Sequence, residues 1–211
     1  MRLVVSILVV WSILTGCSST YYAAMEKVGV HKREIMVDRV ASANEAQQDA
    51  QQQFTSALDA LQQLTGQQTS DLQSWYQRIS REYDASVDAA DEVSERIDAI
   101  EHVAEALFDE WYEELSLYSD SALRRDSEAK LKQTEKNYGY MLEAMRRAEQ
   151  TMQPILVTLL DNTLYLKHNL NAQAIDALER EFSSLERDIE LAIKRMEIAI
   201  NESNRFIAGL K

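Results

Sequence analysis

Small or apolar residues recur along most of the chain at alternating spacings of three and four, separated by polar and charged positions. The first stripe runs from Met36 through Val40, Ala43, Gln47, Ala50 and Phe54 to Leu64. A second runs from Leu72 through Ile79, Ser86, Val93 and Ile100 to Trp111. The third passes through Leu131, Tyr138, Met145, Met152 and Leu159 to Leu166, and the fourth through Ile175, Phe182, Ile189, Met196 and Ser203 to Leu210. Such spacing holds each stripe on one helix face and is the signature of helices packed along a shared seam. No stretch alternates with period two for long enough to make a strand. The pattern predicts an all-α fold, with helices over about 25–64, 70–118, 121–169 and 172–209.

The connections are short, so consecutive helices must run antiparallel. The expected architecture is an elongated up-down-up-down four-helix bundle with coiled-coil-like packing, ~60–70 Å long at ~1.5 Å per residue. Ser70 or Asp71, Ser119 or Ser121, and Asn171 offer capping oxygens at the three later helix starts. Pro154 interrupts the third stripe, where it removes one backbone hydrogen bond, and a kink or a short break between collinear segments is expected. Gly139 weakens the same helix by up to ~1 kcal/mol relative to Ala, which suggests close approach of a neighbour.

Charge refines the pairing. Residues 81–120 hold 14 acidic and 2 basic side chains, whereas 121–170 hold 8 basic and 6 acidic. Folding back near residue 120 places Glu114 by Arg124, Glu113 by Arg125, Asp109 by Lys130 and Glu92 by Arg146. Pairs of this kind select register more than they stabilise, since exposed ones contribute at most ~1 kcal/mol.

The segment ahead of the stripes has a different character. Arg2 precedes an apolar stretch from Leu3 to Leu14, too short to span a ~30 Å hydrocarbon layer and suited to a removed signal segment over 1–16. Leu14, Thr15, Gly16 and Cys17 resemble a bacterial lipobox, and Cys17 is the only cysteine in the chain. That resemblance implies cleavage before Cys17, lipidation of its thiol, an anchored linker over 17–24 and a bundle over 25–211. Ser18 in place of Asp resembles the outer-membrane-directed case, which places the protein on the inner leaflet facing the periplasm. Two or three acyl chains anchor stably where one does not.

Anchoring at Cys17 orients the predicted bundle. Tyr21, Tyr22, Trp111, Tyr112 and Tyr118, with Phe108, Phe206 and Leu210, fall at the membrane-proximal end, either as interfacial aromatics or as a plug of the core. Gln67, Gln68, Lys167, His168 and Asn169 fall at the far tip, a place for a partner to dock.

Catalytic chemistry is sparse. A single cysteine excludes an internal disulfide framework. A net charge of −13 argues against a nucleic-acid partner. His31, His102 and His168 follow Val28, Ala99 and Tyr165 by three residues, so the Glu-x-x-His pair of bundle di-iron sites is missing. No nucleophile elbow, phosphate loop or dinucleotide glycine pattern occurs. The expectation is a non-enzymatic protein with no metal and no cofactor.

The segments KVGVHKREIMVDRV (27–40), LFDEWYEEL (107–115) and LKHNLNAQAI (166–175) resemble a Gram-negative bacterial lipoprotein family designated domain of unknown function 2959. The resemblance implies a secreted or lipid-anchored, mostly helical chain and brings no catalytic residues. The leading functional expectation is a helical scaffold or docking module for an unknown envelope protein, or a homo-oligomer. One alternative is an apolar ligand held near Met141, Met145, Met152, Tyr138 and Tyr165. A weaker one is cell-wall attachment through Lys211.

Overall fold

The structure, a computed structural model, describes Tyr22, Met25 and residues 29–65, 72–169 and 172–210, without the side chains of Thr65, Leu72 and residues 172–182. The elements are α1 (Lys32–Thr65), α2 (Leu72–Leu115), α3 (Ser121–Gln150), α4 (Met152–His168) and α5 (Ala172–Leu210), with no strand among the described residues. The first stripe is buried at every position from Met36 to Leu64, and the described parts of the other three are buried or half-buried. Ile35, Ala46, Leu58, Ala60, Val103, Phe108 and Leu115 widen these faces and join the same core. No helix among the described residues is long and apolar enough to cross a membrane.

Hydrogen bonds between neighbours fix the directions. Lys32 Nζ reaches Glu110 Oε1 at 2.9 Å, Gln53 Nε2 reaches Glu82 Oε2 at 2.9 Å, and Arg78 donates to Gln63 Oε1 at 2.9 Å. As the α1 partner advances, the α2 partner retreats, so the two helices are antiparallel. α3 and α4 form the third arm, which packs on α2 and on α5, while α5 closes back on α1. The result is the expected four-armed bundle, with α1 diagonal to the α3–α4 arm. At ~1.5 Å per residue the 44 residues of α2 extend ~66 Å. One end, the base, holds the start of α1, the α2–α3 connection and the end of α5. The other, the tip, holds the opposite helix ends.

Local chemistry corrects several boundaries. Helix α1 begins at Lys32 rather than near residue 25, because Gly29 has φ +84°, a left-handed conformation that ends any preceding helical turn. Asp120, not Ser119 or Ser121, caps α3: its Oδ1 accepts from the N–H groups of Ala122 (2.7 Å) and Leu123 (3.2 Å). The anticipated caps Ser70, Asp71 and Asn171 lie outside the described residues. The third arm breaks at Thr151, three residues before Pro154. Pro154 has no N–H for the carbonyl of Gln150, and the chain tightens there, with Thr151 N bonding Ala148 O at 3.0 Å. Thr151 keeps helical angles, so the arm continues beyond the break.

Gly139 does not mark a close helix approach. It is exposed, and a Cβ there would meet nothing within 4 Å. The stripe crosses α3 on the opposite side, through Tyr138 and Met141, so the helix cost of glycine is not offset here by a close neighbour.

The middle of the bundle buries polar groups. Ser86, Thr163 and Ser203 satisfy their hydroxyls on carbonyls one turn back, at 2.7, 2.8 and 2.7 Å. The amides fare worse: Gln47 is fully buried and its Oε1 has no partner, as with Asn44 Oδ1 and Asn162 Nδ2. A buried polar atom left unpaired costs ~1–3 kcal/mol. Replacing Gln47→Met should therefore raise unfolding stability by about 1 kcal/mol in a urea titration. Gly139→Ala should add about 0.5–1 kcal/mol in the same measurement, because the site is open and helical.

Candidate functional site

The base is built from named contacts. Tyr22 is buried there at the margin of the core, Val30 N bonds Met25 O at 3.0 Å, and Lys32 latches onto Glu110. Behind this latch three rings from three arms meet: Phe108 contacts Tyr138 edge-on at 5.5 Å and Tyr138 contacts Phe206 at 6.1 Å. Edge-to-face geometry suits the ring quadrupoles and adds to the burial. Trp111 is half-buried and donates its indole N–H to Ser127 Oγ at 2.8 Å. The predicted aromatic set thus divides. Tyr22, Phe108, Phe206 and Leu210 plug the core, whereas Tyr112 and Tyr118 face outward, 47% and 41% exposed. Tyr112 hydrogen-bonds Glu135 across the surface, and that bond is the main cause of its raised pKa. Tyr21 and Cys17 lie outside the described residues.

The hydrophobic pattern passed over two residues of this end, Leu117 and Leu123, which are 79% and 58% exposed. Their signal was present: Leu117 is set in the connection beside Ser116, Ser119 and Asp120, and Leu123 stands among polar residues in the first turn of α3.

At the tip, Lys167 and His168 are exposed in the last turn of α4. Asn169 closes that helix, with its Nδ2 donating to Tyr165 O at 2.9 Å, so part of its polarity is already engaged. Gln67 and Gln68 lie outside the described residues. Toward the tip, the outer side of α4 carries Val157, Leu160 and Leu164, with Val157 and Leu164 exposed and Leu160 half-buried. On another side of the bundle an open groove of about 430 Å³ between α1 and α5 is lined by Gln51, Gln52, Thr55, Ser56, Asp59 and Ile193.

The electrostatic centre lies midway along α2, opposite the C-terminal end of α3. Arg146 reaches Asp98 at 2.5 Å, Glu101 at 2.6 Å and Glu149 at 3.0 Å, and Ser94 donates to Glu149. Burial works against the Arg146 charge, but hydrogen bonds to Glu101, Asp98 and Glu149 outweigh it and hold its pKa above the ordinary value. The expected partner Glu92 instead pairs with Arg96 on its own helix. The true register is thus displaced by roughly two turns. Lys130 likewise pairs with Asp126 rather than Asp109, and no ion pair joins Glu113 to Arg125 or Glu114 to Arg124 among the described residues. Charge balance identified the right helices. Side-chain packing set the register.

His31, His102 and His168 are each exposed and stand apart, and no group of three potential metal ligands occurs among the described residues. Met141, Met145 and Met152 are fully buried in the common core, so an apolar ligand at that level must displace packed side chains.

The model of the family described as a protein of unknown function (DUF2959) matches residues 21–210. The chain belongs to that family. The match spans all four arms of the bundle, so the bundle is the family's domain and not an appendage to one. No curated protein and no solved structure matches the chain.

Tyr138 gives the aromatic junction a measurable signature. Burial, reinforced by Glu101 and opposed by Arg146, pushes its hydroxyl from 10.0 up to about 12. The folded state favours the neutral phenol, so this contribution is complete below pH 10 and is lost as pH rises toward about 12. Denaturant titrations at rising alkaline pH should show stability falling through this window. In Tyr138→Phe the fall should be shallower.

Proposed function

We propose that the protein is a non-enzymatic, lipid-anchored envelope protein whose bundle serves as a scaffold or docking module for another envelope component. The observation that carries this reading is the lipobox-like run Leu14–Cys17, which follows the apolar stretch directly and holds the only thiol in the chain. A thiol so placed is taken up by lipid and the anchor sits beside the base. The proposed location is the inner leaflet of the outer membrane, facing the periplasm, because Ser18 and not Asp follows the lipidated position. The acidic balance, 35 acidic against 22 basic residues, disfavours a nucleic-acid partner. The outer side of α4 supports a docking role, since Val157, Leu160 and Leu164 follow the i, i+3, i+7 pattern by which helices engage a partner groove or another copy.

The test is fractionation of cells carrying the full chain or Cys17→Ser, joined to in-cell crosslinking from position 164 and from the tip. The full chain should sediment with membranes and carry a lipid-mass increment on Cys17, while Cys17→Ser should be soluble. Crosslinking should recover one defined partner or a homo-oligomer. Recovery of monomer alone, from every position, counts against the docking role. A muropeptide mass on Lys211 would instead assign the attachment to the cell wall.

A further inference from the structure

We infer that the α2–α3 connection and the helix ends that flank it form a bilayer-contacting element: Leu117 and Tyr118 of the connection, Leu123 in the first turn of α3 and Tyr112 in the last turn of α2 rest in the interfacial layer of a zwitterionic membrane. The inference rests on the anchored reading above and adds which surface of the bundle meets lipid. Connections between helices are ordinarily polar, yet here Leu117 is 79% exposed and Leu123 58%, while Tyr112 and Tyr118 present rings that are 47% and 41% exposed. Their backbone is held in place. Asp120 caps α3 through the N–H groups of Ala122 and Leu123, and the N–H groups of Ser116 and Leu117 close the end of α2 on Glu113 and Glu114 carbonyls at 3.1 and 2.9 Å. These hydrogen bonds hold the turn at both ends, so its apolar side chains are presented outward from a braced backbone.

Tether length decides what covers them. Tyr22 is buried at the base, and Cys17 stands five residues before it. A chain gains at most ~3.6 Å per residue, so the base cannot stray more than ~18 Å from an acylated Cys17. The bundle itself is several times longer, so among its ends only the base is obliged to stay beside the lipid. The α2–α3 connection is the helix–helix connection at that end. Leucine and tyrosine suit the interface, one as an apolar insert and the other as a ring with a polar tip. Charge sets the lipid class. Glu113, Glu114, Asp120 and Asp126 outnumber Arg124 and Arg125 around the turn, giving an acidic collar on a chain of net charge −13, which a strongly anionic surface would repel.

The experiment uses the acylated full-length protein in phosphatidylcholine vesicles. Cys17 is blocked by lipid, so a single added cysteine carries the fluorophore: Leu117→Cys, Leu123→Cys, or, as controls remote from the base, Leu164→Cys and Gln48→Cys. Brominated-chain phosphatidylcholine should quench labels at 117 and 123 several-fold more than those at 164 and 48, and aqueous iodide should show the reverse order. Equal quenching at all four sites overturns the inference. So does preferential lipid quenching at 164, which would mean the bundle lies on its side, or a 117–117 crosslink between copies with no lipid quenching. Mass analysis of Cys17 separates this from failure of the anchor. Should Cys17 prove unmodified, flotation of the same chain with these vesicles decides: binding lost in Leu117→Glu sustains the membrane turn without the anchor, and no binding overturns it.

Discussion

The apolar stripes are one-sided and must be buried against one another, and every other feature of the bundle is arranged around that constraint. A helix such as α1, with one apolar face and a polar remainder, gains too little alone to be stable in water. Its face mixes two kinds of residue. Ala43, Ala46, Ala50, Ala57 and Ala60 let neighbouring backbones come close, while Met36, Phe54, Leu61 and Leu64 supply most of the apolar area. Full burial of each large side chain is worth ~1.5–3 kcal/mol, so a few such residues per arm govern the association.

Against that driving force stand the buried polar groups. Hydroxyls of Ser86, Thr163 and Ser203 fold back onto their own helices and cost little. Gln47 and Asn162 cannot do so fully, and the seam carries them as a penalty.

Charges act on the outside and mostly within single helices. Lys130–Asp126, Lys132–Glu128 and Arg147–Glu143 lace the outer face of α3 at i,i+4, where solvent screens them. Among the described residues, ion pairs bridge arms at Lys32–Glu110 near the base and at the Arg146 cluster midway along the bundle. Together they pin α1 and α3 to the acidic helix between them. On the proposed anchoring, the exposed side of α4 stands ~45 Å or more along the third arm from the base, at ~1.5 Å per residue. A partner engaging it would be held well clear of the lipid.

Fold class, the number of arms and their direction were legible in the chain itself, because a three-four spacing of apolar residues has one economical solution when the connections are short. The stripe positions from Met36 to Leu64 and from Met141 to Leu166 are buried for that reason. Family membership was also legible, through three short segments. The sequence likewise marked Pro154 as a disruption, although the lost hydrogen bond breaks the helix upstream, at Thr151. What periodicity could not supply was anything that depends on the lateral fit of one arm against another. Arg146 meets Asp98 and Glu101 rather than Glu92, because packing of the core side chains sets axial register and the long charged side chains follow. The same holds for the division of the base aromatics into Phe108 and Phe206 within and Tyr112 and Tyr118 without, and for the outward leucines of the α2–α3 turn. Spacing along a helix assigns a residue to a face; only the neighbouring arms decide whether that face is covered.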